Sequence, residues 1–314
     1  PRALPNADID IASLKKGEKD WGQVAFALRT DSAGATINNI RGRLLGVQLD
    51  RGEQPAVLRW LYSDEGATRT ELQGMFAVGN IGDTLAALGY GGAIESKRGQ
   101  FDVDLSWPGA PQQWQLAETE GQVGFRLENG RFLRASETAS GTLRVLSVFN
   151  MANIVRRLKF DFRDIFSKGI HFDEMRGDMA FADGILNLAS PLVVDGPSSR
   201  FEMSGQINLL TEVPDMRLVA TLPVGSNLPW VAALIGGLPA AAGAYLVTKI
   251  FEEQVDSVAS AVYDVGGTLQ KPELSFRKIF DVPLPKGRDG KKAGSNDGPA
   301  ASKGDESAPK VHPR

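Results

Sequence analysis

The stretch Gln100-Phe101-Asp102-Val103-Asp104-Leu105-Ser106-Trp107 alternates polar and apolar residues from end to end. Successive side chains of an extended strand point to opposite faces, so a period of two puts Phe101, Val103, Leu105 and Trp107 together and leaves the aspartates on the other side. A helix would scatter both sets around its axis. The same alternation returns in Val24, Phe26 and Leu28, in Val123, Phe125 and Leu127, and in Met216, Leu218, Ala220 and Leu222. Repetition of this kind predicts a mainly β chain of neighbouring antiparallel strands with one apolar and one solvated face. Asn129-Gly130 and Asp183-Gly184 each stand between alternating runs and predict tight two-residue hairpins. A glycine placed two residues before an apolar one recurs at Gly42, Gly74, Gly99, Gly121, Gly177, Gly205 and Gly267. The irregular spacing predicts punctuation at strand starts, not a strict repeat.

Helical signals are few. Residues 81–88 run into Gly89, the ending expected of a glycine-capped helix. Within 143–158, Arg144, Ser147, Asn150, Asn153 and Arg157 recur every three or four positions, predicting an amphipathic helix. Asp161 can cap a second short helix ending at 167, before Lys168-Gly169. From Leu218 to Thr248 no residue is charged. Gly236-Gly237-Leu238-Pro239 cuts the most apolar part of that segment in two. Each half covers about 12–15 Å, against a bilayer core of about 30 Å. A helical hairpin over about 228–258, packed on a core or lying against a membrane, fits better than a span. Trp230, Leu234, Ile235 and Leu246 are its expected apolar membrane-contact or gating residues. Residues 286–314 are rich in Lys, Gly, Ser, Asp and Pro and are expected to be a disordered tail.

Composition narrows function. The 314 residues are 42% hydrophobic, and 35 basic against 38 acidic residues leave a net charge of −3. That supports a core and gives nucleic acid no basic field. There is no cysteine, which removes disulfides, thiolate metal sites and cysteine nucleophiles. Of the two histidines, His312 falls in the polar tail and His171 alternates with Ile170 and Phe172, which predicts a surface imidazole. Asp102 with Asp104 lies on a polar strand face. Asp161 with Asp164 suits a helix start, and Glu252 with Glu253 suits solvent. Gly89-Tyr90-Gly91-Gly92 lacks the helix that a dinucleotide site requires. No metal and no cofactor is expected, and the chain is not expected to be an enzyme. Because it opens on Pro1 without a charged and apolar leader, it reads as a fragment or processed product whose anchor or signal lies upstream.

The blocks Leu158 to Gly169 (LKFDFRDIFSKG), Phe172 to Asp178 (FDEMRGD), Asp183-Gly184, Asp195-Gly196-Pro197 and Arg200 to Leu209 (RFEMSGQINL) resemble the C-terminal region of the YhdP family of AsmA-like proteins. So do Ser106 to Pro111 (SWPGAP) and the short helix at 82–88, and the match runs in order over about 20–280. The resemblance implies an elongated, twisted antiparallel sheet forming an open apolar groove, anchored upstream in the inner membrane of a Gram-negative bacterium and crossing the periplasm. It implies non-enzymatic binding and transfer of phospholipid toward the outer membrane in support of its barrier. On that reading acyl chains lie against Phe101, Val103, Leu105, Val123, Phe125, Leu127, Met179, Phe181, Phe201 and Met203. The implied partners are phospholipids, the outer-membrane surface through the C-terminal hairpin, and an envelope protein. The expected organisation is a β-groove segment at 1–140, an AsmA-like segment at 141–285 carrying the helices and hairpin, and the tail. Periodicity alone leaves a second reading open, a structural or protein-binding rod of the envelope whose apolar face is closed core.

Overall fold

A computed structural model describes residues 1–50, 55–62, 66–87, 94–133, 170–197, 199–223 and 258–282. Among these residues the chain is mainly β. The strands are β1 (Ala7–Lys16), β2 (Lys19–Thr30), β3 (Gly34–Leu44), β4 (Val47–Gln48), β5 (Val57–Tyr62), β6 (Thr68–Val78), β7 (Ile94–Glu95), β8 (Arg98–Pro108), β9 (Glu120–Phe132), β10 (Ile170–Ala182), β11 (Ile185–Asp195), β12 (Arg200–Asn208), β13 (Val213–Pro223), β14 (Val258–Gly267) and β15 (Pro272–Val282). One helix, α1 (Ile81–Ala87), precedes β7, and two 3₁₀ turns, Pro111–Gln113 and Leu116–Glu118, join β8 to β9. All the strands belong to one antiparallel sheet in which sequence neighbours are sheet neighbours from β8 to β15, as a meander with short connections requires. On the other side the order runs β1-β2-β3-β4-β6-β8, with β5 pairing β3 and β6, and β7 pairing β9.

The Asp183-Gly184 hairpin is present. Ala182 lies opposite Ile185, and the two turn residues have φ of 51° and 72°, both positive as a type I′ turn demands. Asn129-Gly130, however, is not a turn. It lies inside β9, which continues to Phe132 opposite Ile170. On the far side β9 pairs with β8 up to Glu128 and with β7 from Arg131. Asn129, at φ 52°, sits where those two partners meet, beside Lys97, whose N–H donates to the Glu128 carbonyl at 3.0 Å. A positive φ serves a kink within a strand as well as a hairpin, so the dipeptide alone does not choose. A side chain at Gly130 would collide with the Phe172 ring and the Glu95 carbonyl. Glycine there lets Phe132 and Phe172 pack with centroids 5.3 Å apart.

Five of the seven recurring glycines differ from expectation. Gly42, Gly74, Gly177 and Gly205 lie within strands and Gly267 ends one. At Gly121, with φ 117°, an added Cβ would run into the Asp104 carbonyl across the ladder. Gly99 and Gly121 are each the second residue of a strand, as expected, and Gly121 also marks close backbone approach in the sheet.

Helix α1 matches the expected short helix. Asn80 caps it, its side-chain oxygen accepting from the Gly82 N–H at 2.9 Å, and Ile81 and Thr84 are its buried residues. The SWPGAP block closes the other end of β8. Trp107 Nε1 donates to the Ala110 carbonyl at 3.2 Å, and Thr70 Oγ1 donates to the Gly109 carbonyl at 2.8 Å.

Several expected features lie outside the described residues: the helices at 143–167 with the FDFRDIFSKG block, the Gly89–Gly92 run, the tail at 286–314, and the hairpin at 228–258 with Trp230, Leu234, Ile235 and Leu246. Of that hairpin only Val258 is described, and it opens β14. The expected boundary near 140 also falls outside them, while β9 and β10 on either side of it are hydrogen-bonded neighbours. Among the described residues no helix is long and apolar enough to cross a membrane.

Candidate functional site

Cross-strand register assembles one apolar face from β6 to β15. Phe76 lies opposite Phe101 and Phe101 opposite Phe125, with ring centroids 6.4 Å apart. Phe125 faces Gly177, where an added Cβ would press against Leu192 and the Phe125 ring. The row continues through Met203, Leu218, Tyr263 and Phe276. With strands about 4.8 Å apart, nine strands carry this row across roughly 38 Å. A second row joins Leu72, Leu105, Gly121, Phe181, Leu186 and Ile207. Val103, Val123, Met179 and Leu188 fill the space between the two.

All ten residues expected to touch lipid share this face, and their accessibility divides them. Phe101, Val103, Leu105, Val123, Phe125 and Met179 are half-buried. Leu127, Phe181, Phe201 and Met203 are buried, at 4%, 6%, 5% and 0% exposure. Apolar surface still in contact with water is what a guest can remove at about 25 cal/mol per Å², so the first six residues have area to offer and the last four have almost none. Leu72, Phe76, Met175, Leu188, Leu192, Tyr263 and Phe276 belong to the same face and were not singled out from sequence. Register extension from the ten named positions is the signal that finds them.

The opposite face over β8 to β12 is charged and internally paired. Arg98 meets Glu128 at 2.5 Å, Arg126 meets Glu174 at 2.8 Å, and Arg176 bridges Glu174 and Asp195 at 2.5 and 3.2 Å. Arg200 bridges Asp195 and Glu202 at 2.7 and 2.6 Å. The hydrogen bond to Glu174 holds the Arg176 guanidinium above its ordinary pKa, and that to Glu202 does the same for Arg200, with burial opposing in each case. Asp102 and Asp104 are exposed on this polar face, Asp104 accepting from Gln73 Nε2 at 3.1 Å. His171 is exposed. Among the described residues no three His, Asp or Glu side chains converge as a metal site. An open cleft of about 760 Å³ lies between β1–β4 and α1, away from the apolar rows; Asp20, Arg43, Asp50 and Asp83 give it a polar lining.

The sequence pattern of the family described as YhdP protein matches residues 1–274. The chain belongs to the YhdP family. Its similarity to the intermembrane phospholipid transporter YhdP of Escherichia coli (strain K12) is 26% identity over 257 residues, covering 81% of this chain and 20% of that relative. The chain therefore spans about a fifth of the length of the curated YhdP protein it matches. No solved structure matches it. The SWPGAP, FDEMRGD and RFEMSGQINL blocks all lie within the residues that match YhdP. They form, in turn, the close of β8, the body of β10, and β12 with the first residue of its turn.

Proposed function

We propose that this chain binds the acyl chains of phospholipids along the half-buried part of its apolar face and passes them along the sheet between the inner and outer membranes. The observation that carries the reading is the unbroken row through Phe76, Phe101 and Phe125, flanked by Val103 and Val123, with partial solvent exposure. Its charged opposite face is already paired, so the apolar side is the one with unspent surface. The named function of the E. coli relative supports a phospholipid as the guest. Headgroups stay near water while acyl chains cover Phe101, Val103, Leu105, Val123, Phe125 and Met179. The process needs no covalent step. The setting is the periplasm, with the parent chain anchored upstream in the inner membrane and the 228–258 segment meeting the outer-membrane surface or an envelope protein.

Native mass spectrometry of the chain incubated with phosphatidylethanolamine and phosphatidylglycerol vesicles tests this. Bound phospholipid in the wild type, lost in Val103→Asp with the fold intact by circular dichroism, is the expected result. Equal retention in both would defeat the reading. The near-complete burial of Met203, Ile207 and Leu218 favours a second role for the C-terminal strands, that of closed scaffold. Equal phospholipid transfer between vesicles by wild type and Val103→Asp would extend that role to the whole face.

A further inference from the structure

Tyr263 stands out on the apolar face. It is 2% exposed, lies opposite Leu218 on one side and Phe276 on the other, and its hydroxyl has no hydrogen-bond partner. A buried hydroxyl left unpaired costs about 1–3 kcal/mol. Phenylalanine would fill the same space without that cost. Burial also pushes the phenol pKa well above its ordinary value, which keeps it a neutral donor.

The surroundings define what could accept that proton. Tyr263 is in the same cross-strand row as Phe101 and Phe125, at the end near the sheet edge, and β15 is the last strand of the sheet. The half-buried Phe276 ring, on the edge strand, packs against it in edge contact at 5.7 Å. A charged phosphate brought into this apolar setting beside one neutral hydroxyl would carry a large desolvation cost. An uncharged acceptor attached to apolar chains would not.

We propose that the Tyr263 hydroxyl is a binding site for the acyl-ester carbonyl of a glycerolipid, holding the lipid in register where its chains enter the apolar row beside Phe276. This deepens the phospholipid reading above and rests on it. Phe276 acts as the movable cover, and the carbonyl supplies the missing acceptor.

The test uses the full chain and its Tyr263→Phe variant with dioleoyl-phosphatidylglycerol vesicles and with vesicles of the diether analogue, which keeps the phosphate and lacks both carbonyls. Without lipid, Tyr263→Phe should melt about 2–4 °C higher, because an unpaired hydroxyl is gone. With the diester lipid it should retain about three- to tenfold less than wild type, the size of one net hydrogen bond. With the diether lipid the two proteins should match. Equal retention of diester lipid by both proteins would overturn the proposal while leaving phospholipid binding in place. A deficit that persists with the diether lipid would assign the acceptor to phosphate and overturn it as well. A lower melting point in the variant would mean that the hydroxyl is already satisfied. Failure of the wild type to retain either lipid would remove the broader reading.

Discussion

The apolar face is one surface by register and two by accessibility. Over β8 and β9, Phe101, Val103, Leu105, Val123 and Phe125 keep part of their surface in water. Over β11 to β14, Leu186, Leu192, Met203, Ile207, Leu218 and Val265 keep 1% or less. The alternation is the same in both regions. The contrast shows that alternation records which way a side chain points and carries nothing about what covers it. A half-covered face can take a guest as it stands, whereas a sealed one can do so only where a cover such as Phe276 moves.

Substitutions that read the two regions differently sharpen or break this comparison. The largest effect is expected from Met203→Asp, which buries a carboxylate with no partner and should cost about 4 kcal/mol or more, or prevent folding altogether. Val103→Asp has water within reach and should cost a fraction of that in urea unfolding. Equal losses would erase the distinction. Truncation gives a gentler version. Leu218→Ala should cost about 2–5 kcal/mol through the cavity it leaves, and Leu105→Ala about 1 kcal/mol because the site is already part-open.

The fold was largely legible, and the reasons it was not fully so are local. The run at 100–107 predicted β8 with its faces correctly assigned, and Asp183-Gly184 predicted its turn, because nothing competes with those signals. Asn129-Gly130 misled because positive φ serves both a hairpin and the kink where β7 and β8 share β9. The glycines of β3, β6, β10 and β12 looked like boundaries, yet their role is to let another backbone or side chain come close, which depends on partners far away in sequence. The ten candidate lipid contacts, named from the alternation together with the family resemblance, share one face of the sheet. Their division into half-open and sealed was not readable, since cover comes from tertiary structure. Tyr263 was missed although Ala261, Tyr263 and Val265 alternate, because buried Val262 on the other face blurs the pattern.

Two smaller effects probe the same regions through charge. The folded state holds the Tyr263 proton more tightly than the unfolded chain, whose phenol titrates near 10.0. Its contribution is therefore constant below that pH and is lost as pH rises above it, by up to about 1.4 kcal/mol per pH unit. Wild type should lose stability between pH 10 and 11 faster than Tyr263→Phe in urea titrations, and parallel curves would contradict the sealed assignment. On the opposite face, Arg200→Gln removes contacts to Asp195 and Glu202 that are partly exposed to solvent. It should cost only about 0.2–1 kcal/mol, less at high salt. A loss of about 2 kcal/mol or more would mean that these pairs do more than solvated surface pairs do.

The most direct measurement places a photo-crosslinking amino acid at Val103 and, separately, at its neighbour Asp104, in cells or with phospholipid vesicles, and reads the adducts by mass spectrometry. If the half-open face holds lipid, Val103 yields phospholipid adducts and Asp104 does not. Adducts from Asp104 without any from Val103 would contradict the account.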